Sequence, residues 1–184
     1  MKKILLTSAG FENHRLADIF LELVDKEPQD IHALFIPTAA IDADAIAMLP
    51  KCMDDLLNVG VLAHNITVFD LHCGLPYDEL RTYDAIYVCG GNTAYLLQRI
   101  NETHFHIALK EFIDSGGVYV GVSAGSIIAA ENVPNNLEIM KCTLHVHVAN
   151  GSPIGPVDTA QRPQIHLTNN QAILIRDGEY QIVE

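Results

Sequence analysis

The stretch Gly116-Gly117-Val118-Tyr119-Val120-Gly121-Val122-Ser123-Ala124-Gly125-Ser126 decides the fold. Residues 118–122 form a β-branched and aromatic run, which predicts a buried strand. The run stops at a serine with Gly121 two residues before it and Gly125 two residues after. Residues 124–130 that follow are small and apolar, the pattern of a buried helix. Strand, sharp turn and helix around Gly-x-Ser-x-Gly are the parts of a nucleophile elbow, in which the serine hydroxyl stands exposed at the top of a parallel sheet. Ser123 is therefore the candidate nucleophile.

Working outward, strand and helix signals alternate. Residues 3–8, 31–36, 61–70 and 84–89 read as strands. Helical spacing appears at 16–24, with Asn13 as a cap, and at 45–58, where Pro50 would split or kink the helix. Helices are also predicted at 78–82, after Asn92-Thr93, and at 105–114, ending on Ser115-Gly116-Gly117. Short links between alternating strands and helices predict an α/β three-layer sandwich with a mostly parallel sheet. Beyond Ala130 the helical pattern vanishes. Short runs at 137–140, 143–148, 165–168, 172–176 and 180–183, separated by Asn, Gly and Pro turns, predict a β-rich C-terminal tail. Residues 1–184 read as a single domain.

Composition narrows the class. Hydrophobic residues make up 49% of the 184, enough for one full core. With 23 acidic and 11 basic residues the net charge is -12, which argues against nucleic acid or an anionic membrane as partner. The apolar run after Lys2-Lys3 is too short for a signal sequence or membrane span, so cytoplasmic residence is expected. Cys52, Cys73, Cys89 and Cys142 include no CxxC pair and read as free thiols, mostly buried. No metal site and no cofactor are implied. An exposed edge in the tail would support a homodimer.

In open parallel sheets, ligands sit outside the carboxyl ends of the strands. Pro37-Thr38, Gly90-Gly91-Asn92-Thr93 and Ser123 occupy such ends. The Ala124 N–H, first in the helix after the serine, points where an oxyanion would develop, and Gly90-Gly91 is the best source of a second donor. The base must come from nine histidines. His145 and His147 follow the elbow and, by strand alternation, share one face. His147 precedes a loop and is preferred; His166 sits inside a strand-like run. A shared metal on the His-x-His pair lacks a third ligand in suitable spacing.

Taken together, Val88-Cys89-Gly90-Gly91-Asn92-Thr93 and Gly121-Val122-Ser123-Ala124-Gly125-Ser126 resemble the aspartyl dipeptidase (peptidase E) and cyanophycinase family of serine peptidases. The resemblance covers residues 3–130 and returns more weakly at 165–174. It implies a flavodoxin-like, class I glutamine-amidotransferase-like fold and hydrolysis of short peptides. It also implies Ser123 as nucleophile, Gly91 and Ala124 as the oxyanion hole, and His147 (or His145) as general base. Family members prefer an acidic first residue, which requires a basic pocket that this sequence does not reveal. They also carry an acidic residue near the closing hairpin. Counting back from Gln171-Ala172-Ile173-Leu174 brings Gln161 to that position, with Asp158, Glu131 and Glu138 as other candidates. Arg162 is a candidate for a substrate carboxylate, though a loop arginine is ordinarily solvated. Two readings follow: a serine peptidase or dipeptidase acting through a Ser-His acyl-enzyme, and a weak or inactive relative binding a small ligand at the same place. A glutamine amidotransferase would need cysteine at position 123.

Overall fold

The computed structural model describes residues 2–184. Five parallel strands form the body of the sheet: β1 (Lys3–Thr7), β2 (Ala33–Ile36), β3 (Ile66–Val68), β4 (Ala85–Val88) and β5 (Val118–Val122). The tail adds β6 (Thr143–His145), β7 (Gly155–Pro156), β8 (Gln164–His166), β9 (Ala172–Arg176) and β10 (Glu179–Val183). The main sheet runs β3-β2-β4-β5-β1-β9-β10-β7, while β6 and β8 pair as a separate parallel ribbon. β1 is parallel to β5 and antiparallel to β9. The mostly parallel sheet and the β-rich tail are thus both present.

Alternation along the strands explains why the sheet needs cover on both faces. Ile4 and Leu6 of β1 and Ile86 and Val88 of β4 join one apolar cluster; Leu5, Ala85 and Tyr87 join the other. The first is covered by α3 (Tyr77–Leu80), α4 (Thr93–Glu102), α5 (Phe105–Asp114) and the short α6 (Ala124–Ile127). The second is covered by α1 (His14–Val24) and α2 (Ala43–Asn58). Asn13 caps α1, its side chain accepting from the Leu16 N–H, and Asn92 caps α4 through the Tyr95 N–H. No helix among the described residues is long and apolar enough to cross a membrane.

Three local expectations are corrected. α2 runs unbroken through Pro50. Pro50 is exposed, so the carbonyl that loses its partner one turn earlier can turn to water. Within 61–70 only Ile66–Val68 is a strand, at the sheet edge, because residues 63–65 close a 3₁₀ turn first. Residues 137–140 are not a strand. Three of their N–H groups are spent on the end of α6, Leu137 donating to the Ile128 carbonyl and Ile139 and Met140 to that of Ala129, while Glu138 donates to the Asn136 side chain.

Candidate active site

The elbow begins where β5 ends. Ser123 has φ 49° and ψ −105°, a sparsely populated conformation for a residue with a Cβ. The surrounding structure holds it there. The Ser123 N–H donates to the Thr7 carbonyl, and the Ser126 hydroxyl lies 2.7 Å from the Thr7 carbonyl and 2.8 Å from that of Gly121. α6 crosses the strand so closely that a Cβ on Gly121 would lie 2.6 Å from the Gly125 carbonyl oxygen. Glycine is needed there for space rather than for an unusual φ.

His147 meets the serine. Its Nε2 lies 3.0 Å from Ser123 Oγ, and its Nδ1 lies 2.8 Å from Asn169 Oδ1. An amide oxygen accepts, so this contact calls for the tautomer with hydrogen on Nδ1 and leaves Nε2 free to accept from the serine hydroxyl. The histidine is itself held in an uncommon backbone conformation, φ 57°. Its N–H donates to the hydroxyl of Ser8, a fully buried residue one step beyond β1, at 2.8 Å. The Asn169 turn is tied to the same point, because the Ser8 N–H donates to the Gln171 carbonyl. Gln171 is almost buried; its amide accepts from the Thr168 N–H and donates to the Ser152 carbonyl. One serine at the end of β1 therefore anchors both the imidazole and the group behind it.

His145 and His147 do not share a face. β6 ends at His145, and the positive φ at His147 turns the chain before strand alternation can apply. The His145 ring instead stacks on His166, with centroids 4.7 Å apart and planes at 12°. The four candidates for the third position have other partners. Asp158 caps a 3₁₀ turn and accepts from the Gln161 amide, Glu131 lies 3.6 Å from Arg162, and Glu138 lies 3.8 Å from Lys110. Arg162 is mostly exposed, a solvated loop arginine.

Asn169 was not among those candidates, because its place follows from strand pairing and not from a local motif. Thr7 is in register with both Val122 of β5 and Ala172 of β9. Because β9 runs antiparallel, the residues just before Ala172 lie over the same sheet end as Ser123. That brings the turn at Asn169-Asn170, which the sequence shows only as a turn, to His147.

The glycine loop faces the serine from β4. A Cβ on Gly90 would lie 3.0 Å from the Ser123 Cβ, and one on Gly91, at φ 136°, would collide with the Ala39 carbonyl. Among the described residues the Gly91 N–H donates to no backbone carbonyl, and Ala124 is the first residue of α6, where a helix N–H has no intrahelical acceptor.

Behind this loop lie Cys89, Cys52, Tyr87 and Asp55. Asp55 accepts from the Tyr87 hydroxyl at 2.5 Å and from the Phe11 N–H at 2.9 Å. Burial raises its pKa above the usual carboxylate value. Burial also pushes the Cys89 thiol far up, so Cys89 is a neutral wall and not a second nucleophile. Cys52 and Cys142 are buried too, and only Cys73 is exposed. Among the described residues no group of three or more His, Cys, Asp or Glu could hold a metal ion. A hollow of about 710 Å³ between residues 156–160 and the β9–β10 hairpin is lined by none of Ser123, His147, Asn169 or the Gly90-Gly91 loop.

The chain is similar to known proteins over most of its length. The model of peptidase family S51 matches residues 4–142. An uncharacterised peptidase of Listeria monocytogenes is 29% identical over 168 residues, 91% of this chain and 80% of that protein. A peptidase E of Shewanella amazonensis is 34% identical over 100 residues, 54% of this chain and 41% of its own length. A solved structure described as a peptidase E protein from Listeria monocytogenes superposes with a TM-score of 0.73 at 26% identity, covering 100% of this chain and 98% of that one.

Proposed function

We propose, from the premise that this chain belongs to peptidase family S51, that it hydrolyses short peptides with Ser123 as nucleophile and His147 as general base. The observation that carries the reading is the Asn169–His147–Ser123 relay, 2.8 Å and 3.0 Å. Both distances lie within the reach that proton transfer requires.

His147 Nε2 takes the hydroxyl proton as Ser123 Oγ forms a bond to the scissile carbonyl carbon. The carbonyl oxygen becomes an oxyanion, and the N–H groups of Gly91 and Ala124 are the donors available to it. The imidazolium returns its proton to the amine as the C–N bond breaks, leaving an acyl-serine. A water, deprotonated by the same imidazole, attacks that ester and frees the acid and the serine. Asn169 holds the imidazole in the productive tautomer. As a neutral amide it offers the imidazolium no compensating charge, which favours a slow enzyme over a fast one.

The test is covalent labelling with an alkyl fluorophosphonate, in which Oγ–P forms and fluoride leaves. Wild type is expected to gain one label, on Ser123. Ser123→Ala is expected to gain none, and His147→Ala to react at least about a hundredfold more slowly. An unlabelled, correctly folded wild type overturns the reading.

A further inference from the structure

A cavity of about 140 Å³ opens directly beside Ser123 and His147. Its walls are Ala45, Met48, Leu49 and Cys52 from α2, with Cys89 and Val122 from the ends of β4 and β5. Carbon dominates the lining. The apolar wall reaches the surface at Met48, which lines the cavity and is 49% exposed.

Charge argues in the same direction. Lys51 is the one lysine or arginine in the lining, and its ammonium is already ion-paired with the Glu12 carboxylate. A substrate carboxylate entering here would lose water and find its only cation neutralised, an unfavourable exchange. A branched aliphatic side chain would lose water and gain contacts on every side.

We propose that this cavity receives the side chain of the residue whose carbonyl is cleaved, and that it selects a neutral aliphatic side chain over an acidic one. The inference rests on Ser123 being the nucleophile; the selectivity is a separate property of α2 and the Glu12–Lys51 pair. It runs against the acidic preference that resemblance to the peptidase E family implies.

The experiment uses diphenyl aminoalkylphosphonates, one carrying the side chain of leucine and the other that of aspartate. In each, Ser123 Oγ–P forms, one P–O(phenyl) bond breaks, and the serine proton leaves with the phenoxide through His147. The second-order inactivation rate is expected to be at least about tenfold higher for the leucine analogue, in the range that one apolar side chain in a fitted pocket supplies. Glu12→Gln, which unmasks Lys51, is expected to raise the aspartate-analogue rate severalfold. Met48→Lys, at a half-exposed position that tolerates substitution, is expected to narrow the ratio. Equal rates in wild type, or a faster aspartate analogue, overturn the selectivity. So does a protein labelled at Ser123 by the plain fluorophosphonate but by neither side-chained phosphonate. Failure of the plain fluorophosphonate overturns the hydrolase reading instead, so the two failures are told apart.

Discussion

At Asn169 the chain sets an amide behind His147, whereas the resemblance implies a carboxylate, expected elsewhere in the chain, for that role. The difference is one of charge rather than geometry. Both groups can accept from the imidazole Nδ1–H and hold the ring square to Ser123, but only a carboxylate stabilises the imidazolium that forms during attack. Asn169→Asp is therefore expected to raise kcat/KM on a peptide anilide by about tenfold or more, and Asn169→Ala to lower it by a similar factor. Steady-state kinetics on the three proteins checks both signs, and a slower Asn169→Asp would remove Asn169 from its orienting role. The residue scale is also where the sequence was most unevenly legible. The turn at Ser123 could be read because an elbow comes with a local signature, two glycines and a change from strand to helix. Asn169 and Ser8 have no such signature. Their positions follow from β9 lying beside β1, a pairing between segments about 165 residues apart in the chain, and no local pattern encodes it.

At the scale of elements, α2 matters more than its sequence suggests. Its periodicity predicted a helix, and the helix exists, but its buried carboxylate was invisible because alternation and spacing identify apolar positions, not the partners of a polar one. Asp55 reaches across to the Tyr87 hydroxyl and the Phe11 N–H, fixing α2 against β4 and the loop after β1. Its raised pKa sets a sign for stability against pH. Between 3.8, the value without burial, and the raised folded value, the native state binds more proton than the unfolded chain. Stability is then greatest at the acid end of that window and falls as pH climbs through it. Both hydrogen bonds go to one oxygen, so asparagine can keep them. Asp55→Asn is expected to flatten this dependence, as measured by urea denaturation at a series of pH values; an unchanged slope would assign it to another group.

At the scale of the whole molecule, the family match and the folding unit have different extents. The match ends at residue 142, yet β9 pairs with β1 along all five of its residues. Ile165, Leu167, Ile173, Ile175 and Ile182, all beyond the match, are at most 3% exposed. At ~1.5–3 kcal/mol for each buried aliphatic side chain, they contribute as much as the ~5–15 kcal/mol that separates a typical domain from its unfolded state. A chain ending at residue 142 is expected to lose cooperative unfolding by circular dichroism; a cooperative transition in that fragment would disprove the dependence. The fold class was legible because alternating strand and helix signals leave few architectures open. The tail was legible only as β-rich, since short strands leave pairing partners and register unspecified.

The hydrogen bond from His147 to Asn169 has a consequence for how such a chain changes over generations. Asparagine and aspartate codons differ only in their first base, so the neutral orienting group stands a single nucleotide from a charged one. Because either group can accept the same proton from the ring, that step rebuilds nothing in the sheet, the elbow or the Ser8 anchor. On the proposed mechanism, a lineage carrying this architecture would move between a slow and a fast peptidase by point mutation, with selection on turnover alone deciding which is kept.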